Sequence, residues 1–164
     1  MHPETIDAEA FHRRYHPRRF ARRTIECAVR IEAPAEVVWG HLVGFERYGS
    51  WNPFLIEARG ELRVGTPVEL EVALLRRRPF HQREWINLVQ PDEALCWGTH
   101  MGHPTLLTTN RWQTIRRLEN DASEYRNRLE LSGVLSPLVM FMYGDRLDRS
   151  FKLAGQALKM RCES

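Results

Sequence analysis

The C-terminal part of the chain constrains the fold more than any other. Tyr143, Leu147, Phe151, Ala154 and Leu158 recur at intervals of four, four, three and four residues, the spacing that gathers apolar side chains on one face of an α-helix. A helix over Ser136–Cys162 is about 40 Å long at 1.5 Å per residue. A rod of that length with one apolar stripe needs a broad apolar surface to lie on, and that surface has to come from the residues before it. From Thr24 to Glu32, Ile25, Cys27, Val29 and Ile31 point one way while Glu26, Arg30 and Glu32 point the other. This alternation is that of a half-buried strand. Further strands are expected over Phe54–Leu62, Val68–Leu74, Phe80–Gln90, Leu95–Met101, Leu106–Leu118 and Glu124–Ser132. The turn signals between them are Gly65-Thr66-Pro67, the charged turn Arg76-Arg77-Arg78-Pro79, Pro91-Asp92, Gly102-His103-Pro104 and Glu119 to Ser123. Strands in sequence, joined by short turns, form an antiparallel meander.

Between the first and second strands the pattern is helical. Pro34 opens a helix, as proline does at a first helical position. Val37, Val38 and Leu42 form its apolar stripe, and a second short turn covers Phe45 to Trp51 before Asn52-Pro53 ends it. The order is therefore strand, two short helices, six strands and one long helix, an α+β chain. A twisted sheet of seven strands curls. The long helix must cover the concave face, because both surfaces are apolar. A helix across a curled sheet tends to leave a space, filled either by side chains or by a ligand.

A chain of 164 residues makes one domain that buries a core without disulfides or metal. One boundary stands out near Thr24. Residues 1–23 carry six Arg (Arg13, Arg14, Arg18, Arg19, Arg22 and Arg23) against Glu4, Asp7 and Glu9, and this extension holds the whole net charge of +3. Residues 24–164 are neutral, so the body offers no basic surface for nucleic acid, and no nucleic-acid partner is expected. The extension interleaves Phe11, Tyr15 and Phe20 with its arginines, and Asp7–Tyr15 has the pattern of a short helix closed before Pro17. It reads as a solvated or self-docking segment. Weak contact with an anionic membrane surface and, less favoured, binding of single-stranded nucleic acid are the further uses its composition allows. Cys27, Cys96 and Cys162 are far apart and show no metal-binding spacing. Cys27 and Cys96 lie in apolar runs as small hydrophobes. No apolar leader opens the sequence, and no stretch reaches the ~20 apolar residues of a membrane span. Cytoplasmic residence is the default expectation, with no cofactor.

The residues also resemble a known superfamily. The similarity begins at Arg30-Ile31-Glu32-Ala33-Pro34-Ala35-Glu36-Val37-Val38-Trp39. It runs through Phe45-Glu46-Arg47-Tyr48 and Trp51-Asn52-Pro53-Phe54. Gly60, Gly65, Leu95-Cys96-Trp97, Leu131-Ser132-Gly133 and the C-terminal Phe151 and Leu158 continue it. Over about residues 24–162 the chain resembles the START-like (SRPBCC) superfamily, in particular its polyketide cyclase/dehydrase and lipid-transport-like branch. Gly44 stands where that family often has Asp. The resemblance implies a helix-grip fold, a curved seven-stranded antiparallel sheet wrapped on the long C-terminal helix, with a cavity for an apolar molecule. It implies no single chemistry: a carrier or binder of a small hydrophobic molecule is the leading expectation. An enzyme of the cyclase/dehydrase type is the alternative, and a partner-binding domain acting through its basic tail is a third.

Within that frame the strand faces nominate site residues. Phe80, Gln82, Glu84, Ile86 and Leu88 share a face, and Gln82 and Glu84 need partners if that face is buried. A register slip of one residue would turn Glu84 outward as an ordinary surface carboxylate. Asn110, Trp112 and Thr114 share a face, as do Tyr125, Asn127, Leu129 and Leu131. The opposite face of the last strand is charged (Arg126, Arg128, Glu130), which turns the Tyr125 face inward. Asn110, Asn127 and Tyr125 then either line the cavity or are satisfied structural groups. Of the five tryptophans, most belong in the core, with Trp97 and Trp112 the ones to face a ligand. Phe54, Val72, Phe80, Leu129, Tyr143, Leu147 and Phe151 complete the expected wall. If the cavity is catalytic, Glu84, His100 and Tyr125 are the candidates for acid–base work. His100-Met101-Gly102-His103 has an H-x-x-H spacing but falls at a turn, without the glutamate and helix of a zinc-protease motif. No metal site is expected there. No P-loop, G-x-S-x-G or G-x-G-x-x-G occurs.

Overall fold

The structure is a computed structural model that describes residues 22–74 and 78–164. The expected Asp7–Tyr15 helix, most of the Arg-rich extension, and Arg76 and Arg77 of the charged turn lie outside the described residues. The chain order is β1 (Arg23–Ile31), α1 (Ala35–Val43), a 3-10 helix (Phe45–Ser50), β2 (Leu55–Gly60), β3 (Pro67–Val72), β4 (Phe80–Gln90), β5 (Ala94–His100), β6 (Thr108–Arg117), β7 (Ser123–Ser132) and α2 (Ser136–Cys162). The strands form one antiparallel sheet in the order β1-β7-β6-β5-β4-β3-β2. β4 and α2 have the bounds their periodicity predicts, and the other elements differ by one or two residues at their ends. Pro34, extended at φ −60° and ψ 154°, caps α1 from outside rather than taking its first turn.

Asn52 shows how the chain gets from the 3-10 helix into the sheet. Its Oδ1 accepts the backbone N–H groups of Phe54 and Leu55, each at 2.9 Å. One short side chain thereby satisfies two buried donors at the start of β2. Asn52→Ala should cost about 2 kcal/mol, the loss of one cap-like acceptor with its buried donors stranded. Urea unfolding read by tryptophan fluorescence checks this, and a midpoint within error of the native protein would refute it.

The core lies between the concave face of the sheet and α2. Ile25, Val29 and Ile31 of β1, Leu70 of β3, Ile86 of β4 and Trp97 of β5 are buried there with Phe151, Ala154 and Leu158 of α2. Burying residues of the size of Phe151 and Leu158 contributes about 1.5–3 kcal/mol each. The helix sits on β1, with further contact to β7 and α1. A Cβ on Gly155 would come within 3.0 Å of Val29 Cγ2 and 3.2 Å of Cys27 Sγ, so the absence of a side chain there sets how closely helix and edge strand approach. A bulge between Ile86 and Leu88 reverses the pleat of β4. Leu88 therefore leaves the face it is expected to share with Ile86 and joins Ala94, Cys96 and Trp112 in a second cluster on the convex face. No helix among the described residues is long and apolar enough to cross a membrane.

Candidate functional site

The buried residues of α2 beyond its first position are Ser150, Phe151, Ala154, Gly155 and Leu158, all in its C-terminal half. That half grips β1, while the N-terminal half stands away from the middle strands. The space beneath is a cavity of about 960 Å³. Val139, Tyr143, Leu147 and Phe151 form its helix side, and Leu70, Val72, Leu129 and Leu131 are the main apolar residues of its sheet side. Phe54, just before β2, closes one end and packs against Phe151 with ring centroids 5.4 Å apart and planes tilted by 55°. At the other end Phe80 and Met101 are 45% and 59% exposed, so the cavity opens to solvent there, beside Arg78 and His100.

Two ionisable groups reach this space from buried positions. Glu84 of β4 is 8% exposed and its Oε1 accepts a hydrogen bond from Gln82 Nε2 at 2.9 Å. Burial disfavours its charged form and pushes its pKa up to about 7, although the Arg111 charge works against that shift. Arg111 of β6 is 4% exposed and sits among three aromatic rings. Its guanidinium carbon lies 4.9 Å from the centroid of Phe151, 5.2 Å from Phe54 and 5.7 Å from Trp97, within cation–π range. Its Nε donates to Asn127 Oδ1 at 3.0 Å. Deeper along the same strand pair, the Tyr125 hydroxyl donates to Gln113 Oε1 at 3.0 Å, and burial raises the Tyr125 pKa to about 12. Tyr125 is thus neutral at any ordinary pH.

Of the nominated residues, the cavity wall contains Phe54, Val72, Phe80, Glu84, His100, Leu129, Tyr143, Leu147 and Phe151. Asn127, Tyr125 and Trp97 lie behind that wall. Asn127 orients Arg111, Tyr125 bonds Gln113, and Trp97 carries one of the rings around the guanidinium. Asn110 and Trp112, expected in the cavity wall, are not part of it. Both point to the convex face, where Asn110 Oδ1 accepts from Asn87 Nδ2 at 3.0 Å and Trp112 packs with Leu88, Ala94 and Cys96. The alternation of β6 gives the concave side to Thr109, Arg111, Gln113 and Ile115 instead, and no sequence pattern marks Arg111 as a site residue. His103 is fixed by a 2.8 Å contact to Thr105 Oγ1 within its turn, and among the described residues no three His, Cys, Asp or Glu side chains gather as a metal site would need.

The architecture, a curled seven-stranded half-barrel gripping a long C-terminal helix, is the helix-grip fold of the START-like (SRPBCC) proteins. The Zhui aromatase/cyclase from Streptomyces sp. R1128 superposes with a TM-score of 0.71 at 14% identity, over 87% of this chain and 94% of that one. A START superfamily protein from Mycobacterium smegmatis does so with a TM-score of 0.63 at 18% identity, over 85% and 97%. Norcoclaurine synthase of Thalictrum flavum, solved with a transition-state analogue, gives 0.58 at 11% identity, over 87% and 98%. No protein-family model and no curated protein sequence matches the chain.

Proposed function

We propose that this domain binds a small hydrophobic molecule in the cavity between the curved sheet and the C-terminal helix. The observation that carries the reading is the cavity itself: about 960 Å³ with a mostly aliphatic and aromatic wall. That is the size and character of a site for a drug-sized ligand. Transfer of ligand surface out of water, on the order of 25 cal/mol per Å², supplies the driving force, and the few polar groups fix orientation. The test is fluorescence enhancement of 1-aminoanthracene, a neutral aromatic fluorophore, on the full chain. Leu129→Trp and Leu147→Trp, which place bulk in the cavity from the sheet side and the helix side, should each weaken its binding at least 10-fold with the native far-UV spectrum retained. Undiminished binding in both folded variants would refute the reading.

Glu84 and Arg111 favour a second reading, an enzyme of the cyclase/dehydrase type. A carboxyl group with a pKa near 7 can both give and take a proton at neutral pH, and Glu84 lines the same cavity as the buried cation. That role requires Glu84→Gln to abolish turnover of a bound reactive substrate while leaving its affinity in place. Recovery of an unchanged molecule by organic extraction of the purified protein supports the carrier instead.

A further inference from the structure

Arg111 poses an electrostatic problem that the protein by itself leaves unsolved. A guanidinium stays charged at any pH a protein survives, and burying a charge is costly unless it is paired and fully hydrogen-bonded. Arg111 is nine-tenths buried, yet its polar contacts are both neutral, the Asn127 amide oxygen and the Tyr125 hydroxyl, and its Nη1 has no hydrogen-bond partner. Among the described residues no carboxylate forms an ion pair with it. The three surrounding rings offer their π faces, which hold a cation but leave N–H donors unused. Glu84 is the one acidic residue of the cavity wall among the described residues, and its elevated pKa means that it does not supply a full counter-charge at neutral pH. The wall therefore keeps a net positive charge, deep inside, beside an apolar space that can be filled from solvent.

Resting on the hydrophobic-ligand reading above, we infer that the cavity selects amphipathic acids: an apolar body lying against Leu70, Val72, Leu129 and Leu147, with one carboxylate paired to the Arg111 guanidinium. The carboxylate supplies the missing partner. It accepts from Nη1 in a charge-assisted hydrogen bond, stronger than one between neutral groups. Asn127 holds the guanidinium from its Nε side, so the head can move little when a ligand arrives, and preorganisation of this kind favours affinity. Arg78 at the open end adds positive potential along the way in. A neutral molecule of the same shape would fill the space but strand the cation, which is how a site built around a buried charge discriminates.

The experiment is displacement of 1-aminoanthracene from the full-length protein by decanoate and by 1-decanol, which share a chain length and differ in the head group. The proposal expects decanoate to displace the fluorophore at a concentration at least 10-fold lower than decanol, although the alcohol leaves water more readily. In Arg111→Gln the ratio of the two should collapse toward one. Equal displacement by acid and alcohol on the native protein overturns the acid proposal and leaves the hydrophobic cavity standing. A preference that persists undiminished in a folded Arg111→Gln variant overturns it as well. Failure of the fluorophore and of both competitors to bind overturns this proposal and the hydrophobic-ligand reading together.

Discussion

Glu84→Gln is expected to remove most of a stability loss that the native protein shows between about pH 4.5 and pH 7. In the unfolded chain the Glu84 carboxyl titrates near its ordinary 4.5, and in the folded protein near 7. Below pH 4.5 both states hold the proton. Between the two values the folded state keeps a proton that the unfolded state has released, so folding weakens as pH rises, by about 1.4 kcal/mol per pH unit. The window of 2.5 units between 4.5 and 7 gives a total of about 3 kcal/mol, and above pH 7 this contribution is flat. Glutamine keeps the acceptor for Gln82 Nε2 without the ionisable proton. The measurement is urea unfolding of both proteins at pH 5 and pH 8.5, with the variant gaining stability relative to the native protein at the higher pH. The surface and half-buried carboxylates held down by cationic partners, among them Glu32, Glu69 and Glu124, act in the opposite sense. Their stabilisation is lost as pH falls below the ordinary carboxylate range, and it is common to both proteins. Parallel pH profiles for the two would show that Glu84 is not the buried acid described here.

Gly133→Ala is expected to be the most damaging single methyl group that can be added at a turn of this protein. Gly133 joins β7 to α2 with φ at +106°, and a Cβ there would lie 2.6 Å from the Leu106 carbonyl oxygen and 2.9 Å from that of Thr105. Those two oxygens accept the N–H groups of Leu135 and Val134, each at 2.9 Å, so they cannot retreat without breaking the bonds that start the helix. A left-handed backbone forced on an L-residue costs on the order of 1–3 kcal/mol, and the lost hydrogen bonds add about 1 kcal/mol each. A total near 4 kcal/mol should lower Tm by roughly 10 °C in a chain of this size. Gly102→Ala is the control. Gly102 has φ at +62°, but a Cβ there would meet just one side-chain atom, Leu106 Cδ1 at 3.6 Å, so it should cost about 1 kcal/mol. Equal shifts in the two variants would mean that close backbone packing at the strand–helix turn contributes nothing.

Arg111 shows why part of the site was not read from the strand patterns. Across an antiparallel pair, directly opposed residues share a face. In the structure Arg111 opposes Leu129, Gln113 opposes Asn127 and Asn110 opposes Glu130. Placing Leu129 and Asn127 inward and Glu130 outward therefore commits β6 to Arg111 inward and Asn110 outward, once the hairpin register is known. The register depends on the loop between Arg117 and Ser123, where Asn120 and Asp121 both take positive φ; a one-residue change there exchanges the two faces of β6. Trp112 added a misleading signal. A large apolar side chain next to an arginine argues for the opposite orientation, until the second cluster on the convex face supplies Trp112 with apolar neighbours. The bulge after Ile86 had the same effect on Leu88, because an inserted residue breaks the period of two without marking the sequence.

The sequence by itself determined the kinds of element and their order. Alternation and helical spacing are local, written in residues a few positions apart, and they suffice for seven strands, two short helices and a 27-residue rod. Glu84 and the Tyr125–Asn127–Leu129 face were legible for the same reason. Tertiary structure decided what lies between the sheet and the rod. Gly155 lets the C-terminal half of α2 close on β1 while the other half stands clear, and the curl of the sheet carries β3 and β4 away from it. An open cavity with a buried cation in its wall follows from that geometry. It is a property of how surfaces far apart in the chain meet, and no stretch of neighbouring residues encodes it.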